Sequence, residues 1–292
     1  GDARALHEIC GRVGVPVVAD VHFSAKLAVL AVENGADKLR INPGNIGGER
    51  EVALVADCVK AHHVPVRVGA NTGSIEKKHL EKYGRSAEAL VLSALDNVAV
   101  LEKHGVKDIA VSVKASDVPL TVEAYTLLRK RCDYPLHLGV TEAGTQHMGI
   151  VKSSIGIGSL LLAGIGETIR VSLSADPVEE VYAAHDILRA CGLEKDYVDV
   201  VACPTCGRCR YDCMGLASRV AARVRTVKKK LKVAVMGCVV NGPGEAKGCD
   251  LGIAGGEEYC IIMQKGQENV RVAAADAERE FFARLELLIN EE

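Results

Sequence analysis

The chain reads as an α/β protein: a (β/α)8 barrel of the TIM type with six of its eight units visible, followed by a small α+β domain. Two observations predict the barrel. From residue 16 to about 190, short β-branched runs alternate with longer stretches of three- and four-residue apolar spacing, as parallel strands joined by helical crossovers require. Polar or charged groups accompany the end of every run, which suits the carboxyl rim of a barrel better than the single switch point of a doubly wound sheet. A third observation sets off the second domain: seven of the eleven cysteines lie between Cys203 and Cys260.

The strand runs are Val15–Val21, Lys38–Asn42, Val64–Gly69, Asp108–Val113, Leu136–Val140 and Thr168–Leu173. Between them lie helical segments such as Ala25–Asn34, Ser86–His104 and Val178–Ala190. Ala3–Gly11 reads as the end of a helix preceding the first visible strand. Two further βα units, roughly 60 residues at barrel spacing, are therefore expected ahead of it. With six strands, the first and last runs should present unpaired edges. Beyond Leu193–Lys195 the pattern changes. Tyr197–Ala202, Leu231–Met236, Leu251–Ala254 and Tyr259–Gln264 read as strands, Met214–Lys230 and Ala274–Ile289 as helices. The expected domains are residues 1–195, a substrate-binding barrel, and residues 196–292, a cysteine-rich domain.

Composition narrows the function. Of 292 residues 48% are hydrophobic and 25% charged, a globular balance that argues against disorder. A net charge of −2 and only ten aromatics (three Phe, seven Tyr, no Trp) argue against nucleic acid as a partner. The longest apolar stretches, such as Ile155–Leu162, are broken by Gly and Ser, so no membrane span is expected. No secretory signal opens the chain, and an odd number of cysteines then reads as cytoplasmic thiols rather than a disulfide framework. Cys10, Cys58, Cys132 and Cys191 are scattered and read as small buried hydrophobes.

Three constellations carry chemistry. Cys203-Pro204-Thr205-Cys206, joined by Cys238 after the strand Leu231–Met236, has the thiolate spacing of an iron–sulfur or zinc site. No second C-x2-C pair follows, as a zinc ribbon would prefer. The run Cys203-x2-Cys206-x2-Cys209-x3-Cys213 also matches bacterial ferredoxin spacing, with Met214 where those carry Pro. Next, Gly237-Cys238-Val239-Val240-Asn241-Gly242-Pro243-Gly244-Glu245 forces a tight loop that brings backbone N–H groups close to a ligand or a cluster sulfur. Finally, Arg40, Arg67, Lys114, Lys152 and Arg170 form a ring of cations at successive strands. Such a ring suits a multiply charged anion, diphosphate being the natural choice. Asn42, Asn71, Ser74 and Ser172 add neutral hydrogen-bonding groups, and Asp20 and His22 follow the first strand. Glu142, among the cations, is a candidate proton donor provided its carboxylate is partly desolvated. Lys228–Lys232 reads as a solvated helix end.

The stretches VADVHF, LRINPGNIG, VRVGANTGSIEK, VSVKASDV, PLHLGVTEAG, VKSSIGIGSLLLAGIGETIRVSLSADPVEEV, CPTCGR and GCVVNGPGEA resemble the 4-hydroxy-3-methylbut-2-enyl diphosphate synthase family of the methylerythritol phosphate route to isoprenoids. The resemblance runs from about residue 16 to 255. It implies a barrel followed by a reductase-like [4Fe–4S] domain. It also implies a head-to-tail homodimer, in which one subunit's cluster domain closes over the other's barrel mouth. Cys203, Cys206, Cys238 and Glu245 would hold the cluster. Arg40, Arg67, Asn71, Lys114, Arg170 and Ser172 would hold the substrate diphosphate, Glu142 would donate a proton, and Asn241 would contact substrate near the cluster. The implied reaction opens 2-C-methyl-D-erythritol 2,4-cyclodiphosphate reductively, with electrons from ferredoxin or flavodoxin. The departures are the first two βα units, Cys209 and Cys213 where relatives are expected to carry other residues, and a less distinct tail past Gly256. Cys209 is accordingly expected to point away from the cluster. A rival reading is a non-catalytic iron–sulfur or zinc module closed by Cys203, Cys206, Cys209 and Cys213.

Overall fold

The structure, a computed structural model, describes residues 2–291. It divides between Cys191 and Gly192 into two compact units. The first contains α1 (Asp2–Arg12), β1 (Val18–Asp20), α2 (Ala25–Glu33), β2 (Lys38–Arg40), α3 (Pro43–Ile46), α4 (Glu49–Ala61), β3 (Val66–Asn71), α5 (Lys77–Tyr83), α6 (Ala87–Lys103), β4 (Ile109–Lys114), α7 (Val118–Arg129), β5 (His137–Leu138), α8 (Gln146–Leu162), β6 (Thr168–Ile169) and α9 (Pro177–Ala190). All the strands pair in parallel. β1 to β4 form one sheet in chain order, β5 pairs with β6, and a bridge from Val111 to Leu136 links the two. Strand order therefore follows chain order, with β1 and β6 at its two ends.

Side chains alternate across these strands. Leu39, Val66, Val68, Val111, Val113, Leu136, Leu138 and Val171 enter one continuous hydrophobic cluster with the helices. Registers Asp20↔Arg40, Arg40↔Arg67, Asn71↔Lys114 and His137↔Thr168 put the polar alternates together on the opposite, inner face. Helix starts are fixed by side-chain caps. Ser24 accepts from Leu27, Ser86 from Ala89, and Asp117 and Asp176 cap α7 and α9, each with a Pro in the first turn.

The second unit contains β7 (Val198–Ala202), α10 (Cys213–Val224), β8 (Leu231–Met236), α11 (Gly242–Glu245), β9 (Leu251–Gly255), β10 (Tyr259–Gln264), β11 (Val270–Ala273) and α12 (Ala274–Asn290). One mixed sheet runs in the order β11-β10-β9-β8-β7, with β7, β8 and β9 parallel and the rest antiparallel. Val233 and Val235 face α10 and α12, packing with Leu216, Val220, Phe281 and Leu285. Ala234 and Met236 face the other way, onto Ala246, Ala254 and Met263. The helix expected to reach Lys230 stops at Val224, before the β-branched pair Thr226–Val227 and the like-charged lysines. β11, not anticipated, is a largely exposed edge strand. Among the described residues no helix is long and apolar enough to cross a membrane.

Candidate functional site

The inner face of the first unit is cationic where most barrels are apolar. Arg40 ends β2, and its guanidinium donates to Asp20 Oδ1 at 2.7 Å and lies 3.2 Å from His22 Nδ1. Arg67, its register partner, is 8% exposed, and its Nε has no hydrogen-bond partner. Burial, and then Arg40 alongside, lower the Arg67 pKa. Lys114, the last residue of β4, is pushed down to about 7 by desolvation and by Arg67, Arg170 and Arg40, with Asp20 opposing them. Gly139 makes this possible. A Cβ there would stand 2.9 Å from Lys114 Nζ and 2.8 Å from the Arg170 carbonyl oxygen. Arg40, Arg67, Lys114 and Arg170 thus gather beside the Asp20 carboxylate, an excess of basic groups that a multiply charged anion would balance.

His137 belongs to this group and escaped sequence reasoning. Its Nδ1 lies 2.9 Å from Thr168 Oγ1, and its buried Nε2 has no partner. Desolvation and the cations Lys114, Arg67, Lys38 and Arg170 push it down to about 2, so it stays neutral. The alternation of Leu136, Leu138 and Val140 with His137 and Gly139 was the available signal, because it assigns the latter two to the inner face.

The other expected residues fare differently. Lys152 is not at a strand end; it lies on α8 and reaches the Ser116 carbonyl at 3.5 Å. Asn42 caps α3, its Oδ1 accepting from Gly44 N at 3.1 Å. Ser74 Oγ accepts from Asn71 N at 3.0 Å and so shapes the turn that presents the half-buried Asn71 side chain. Ser172 is half-buried just past β6, and Arg170 precedes it, exposed. Glu142 is exposed on its own unit, so the desolvation expected of a proton donor is not met there. Its φ of 51° is nonetheless unusual, a left-handed conformation that a long side chain adopts at a cost and that recurs at functional loops.

The second grouping lies at the carboxyl ends of β7 and β8. One cavity is lined by Cys203, Cys206, Arg208, Cys209, Met236, Gly237, Cys238, Asn241, Gly242 and Glu245. Because β7 and β8 are parallel neighbours, the loops bearing Cys203 and Cys238 leave the sheet side by side. Backbone N–H groups of Asn241 and Val240 lower the Cys238 pKa, and those of Arg208, with its guanidinium, lower that of Cys206. Both shifts favour the thiolate, the form that ligates metal. Thr205 N–H approaches Cys203 Sγ at 3.4 Å, and Thr205 itself has a φ of 63°. Cys209, expected to point away, instead lines this cavity, while Cys213 is buried against the Val235 carbonyl at 3.7 Å. The ferredoxin-like run therefore divides: three of its cysteines face the cavity and the fourth enters the core. Arg208 went unnoticed in the sequence as part of this wall.

Elsewhere Glu76, His79 and Asp96 stand together, but Lys78 Nζ, 2.6 Å from Asp96 and 3.4 Å from Glu76, already balances them.

Residues 1–185 match the family model described as the GcpE TIM-barrel domain, and residues 199–287 the one described as the GcpE protein C-terminal domain. Among curated proteins, the chain is 52% identical to "4-hydroxy-3-methylbut-2-en-1-yl diphosphate synthase (flavodoxin)" of Caldanaerobacter subterraneus subsp. tengcongensis, over 99% of this chain and 82% of that one. The proteins of the same name from Brevibacillus brevis and Desulfotalea psychrophila are 48% and 50% identical, again over 99% of this chain, and over 81% and 80% of theirs.

Proposed function

Because the chain belongs to the GcpE family, we propose that it reductively opens 2-C-methyl-D-erythritol 2,4-cyclodiphosphate to (E)-4-hydroxy-3-methylbut-2-enyl diphosphate, a step in making isoprenoid precursors. Two electrons and two protons enter and one water leaves. Flavodoxin, named in the relatives, is the proposed electron donor.

The observation that carries this reading is the cationic inner face. Arg40, Arg67, Lys114 and Arg170 set four positive charges against Asp20, and a diphosphate supplies the missing negative charge. Asn71 and Ser172 offer neutral donors beside them. His137, held neutral, adds a polar group without adding repulsion. Glu142 would give its proton to the departing oxygen. Exposed on its own unit, it would need a cover, which a head-to-tail homodimer would supply from the second copy. The chain spans about four-fifths of the length of the Caldanaerobacter relative.

The donor set of the second cavity fits an iron–sulfur cluster. It gathers soft sulfurs, with backbone N–H groups stabilising their anionic form, around a single carboxylate. Cys203, Cys206, Cys238 and Glu245 would hold a [4Fe–4S] group. When bound, that group supplies single electrons and a Lewis-acidic iron. Glu245, a harder and more weakly held ligand than a thiolate, would yield its position to substrate. Asn241, on the same loop, would orient the substrate there.

The test is anaerobic purification followed by iron and sulfide analysis and turnover of the cyclodiphosphate with reduced flavodoxin. About four irons and four sulfides per chain with formation of the linear diphosphate are expected. Zinc in place of iron, or a cluster whose spectrum ignores the substrate, would overturn the proposal.

A further inference from the structure

The cavity at the ends of β7 and β8 is lined by one cysteine more than the proposed cluster needs. Cys209 Sγ lies 3.3 Å from the point where a Gly237 side chain would begin, and Cys203 Sγ lies 3.6 Å from that same point. The two sulfurs therefore stand on one side of the Gly237 backbone, where a Cβ would touch Cys203 Sγ at ordinary contact distance and crowd Cys209 Sγ. Cys209 is also held rather than loose. Its N–H donates to the Cys206 carbonyl at 2.9 Å, closing a turn that ties it to a proposed ligand. Tyr211 anchors the segment from the other side, its hydroxyl donating to the Met236 carbonyl at 2.8 Å. The Tyr211 ring lies so close to Gly255 that a Cβ there would sit 2.0 Å from it. The Cys209 thiol donates to the Tyr211 carbonyl at 3.2 Å, a weak bond readily given up. Cys213, four residues on, is only 1% exposed and takes no part in the cavity.

We propose that Cys209 is an alternative ligand for the cluster position that Glu245 fills, giving the site an open form with a carboxylate and a closed form with four thiolates. The inference rests on the cluster reading above and goes beyond it, since that reading needs only three thiols. The exchange is a ligand substitution. The bond from iron to the Glu245 carboxylate breaks, a bond from the same iron to Cys209 sulfur forms, and the thiol proton passes to the freed carboxylate. No electron moves. Sulfur is the softer and firmer ligand for this iron. Whenever Glu245 swings out with no substrate present, Cys209 guards the exposed corner against loss of its metal.

The full chain, reconstituted anaerobically as wild type, Cys209→Ser, Glu245→Ala and the double variant, decides the matter by iron and sulfide content and by low-temperature EPR after mild oxidation. About four irons are expected in the wild type and in each single variant, since either ligand suffices to retain the metal. The double variant should fall to about three and give the signal of an oxidised three-iron cluster. If Glu245→Ala alone falls as far as the double variant, Cys209 does not reach the iron and the proposal is wrong. If the double variant keeps four, neither side chain is needed and it is equally wrong. A wild type without iron and sulfide would overturn the underlying cluster reading, which the other outcomes leave intact.

Discussion

Replacing Lys114 by methionine keeps most of the length of the side chain and removes a charge that the fold holds at a disadvantage. Its pKa falls from 10.5 to about 7 because burial and three neighbouring cations oppose the ammonium form. At 1.36 kcal/mol per pH unit, that is roughly 5 kcal/mol held against folding below pH 7. Imperfect packing of the new thioether offsets part of it, leaving a net gain of about 2–3 kcal/mol. For a unit of this size the unfolding midpoint should rise by about 5–10 °C. The pH dependence is equally specific. Between pH 7 and 10.5 the unfolded wild type binds more protons than the folded form, so its stability rises with pH. The advantage of Lys114→Met should thus be full at pH 6.5 and reversed at pH 10, where the packing cost remains and little of the charge penalty is left. Thermal unfolding followed by circular dichroism at the two pH values measures it. Inorganic diphosphate should raise the wild-type midpoint more than the variant's. A variant no more stable than wild type at pH 6.5, or an advantage that grows with pH, would refute the electrostatic account.

Three further outcomes follow from the same face. Arg67→Met removes a charge-assisted contact of about 1.5–3 kcal/mol and should weaken diphosphate binding, measured by calorimetry, about 10- to 150-fold. Glu142→Gln should leave that affinity within a few-fold while turnover collapses; equal losses in binding alone would contradict the division of roles. Gly139→Ala drives a methyl against Lys114 Nζ and the Arg170 carbonyl, and should cost about 1–3 kcal/mol of stability as well as anion affinity.

The six parallel strands and their order were legible because the buried face of each run is β-branched or Leu and its polar alternates are conspicuous, as in Val66-Arg67-Val68. The strands are shorter than the runs: Leu136–Val140 yields only His137–Leu138, since one bridge and single hydrogen bonds do not sustain a ladder. The shared inner face of Arg40, Arg67, Lys114 and Arg170 was only partly legible. Register decides it, and register is a pairing between segments that no single segment encodes. Asn42 and Ser74 have a local role that spacing does not reveal, since both types also serve backbone caps. Lys152 misled because its helix brings it near the β4–α7 loop without any strand end. His137 was overlooked because a neutral, buried histidine leaves no charge to notice. Cys209 lines the same cavity as Cys203 and Cys206, as the even spacing of the three suggested.

A sheet face set with like charges instead of apolar filling leaves the packing to the helices on its other side, and works against the fold. A multiply anionic ligand therefore acts on folding by mass action: at a hundredfold excess over its dissociation constant it adds about 2.7 kcal/mol. Two segments of this face, β5 and β6, are two residues each and should open first when no anion is bound. Proteases sample such openings, so the lifetime of the chain should lengthen when substrate is plentiful and shorten when it runs out. The amount of enzyme would then follow the supply of its substrate with no regulator other than the charge on the barrel wall.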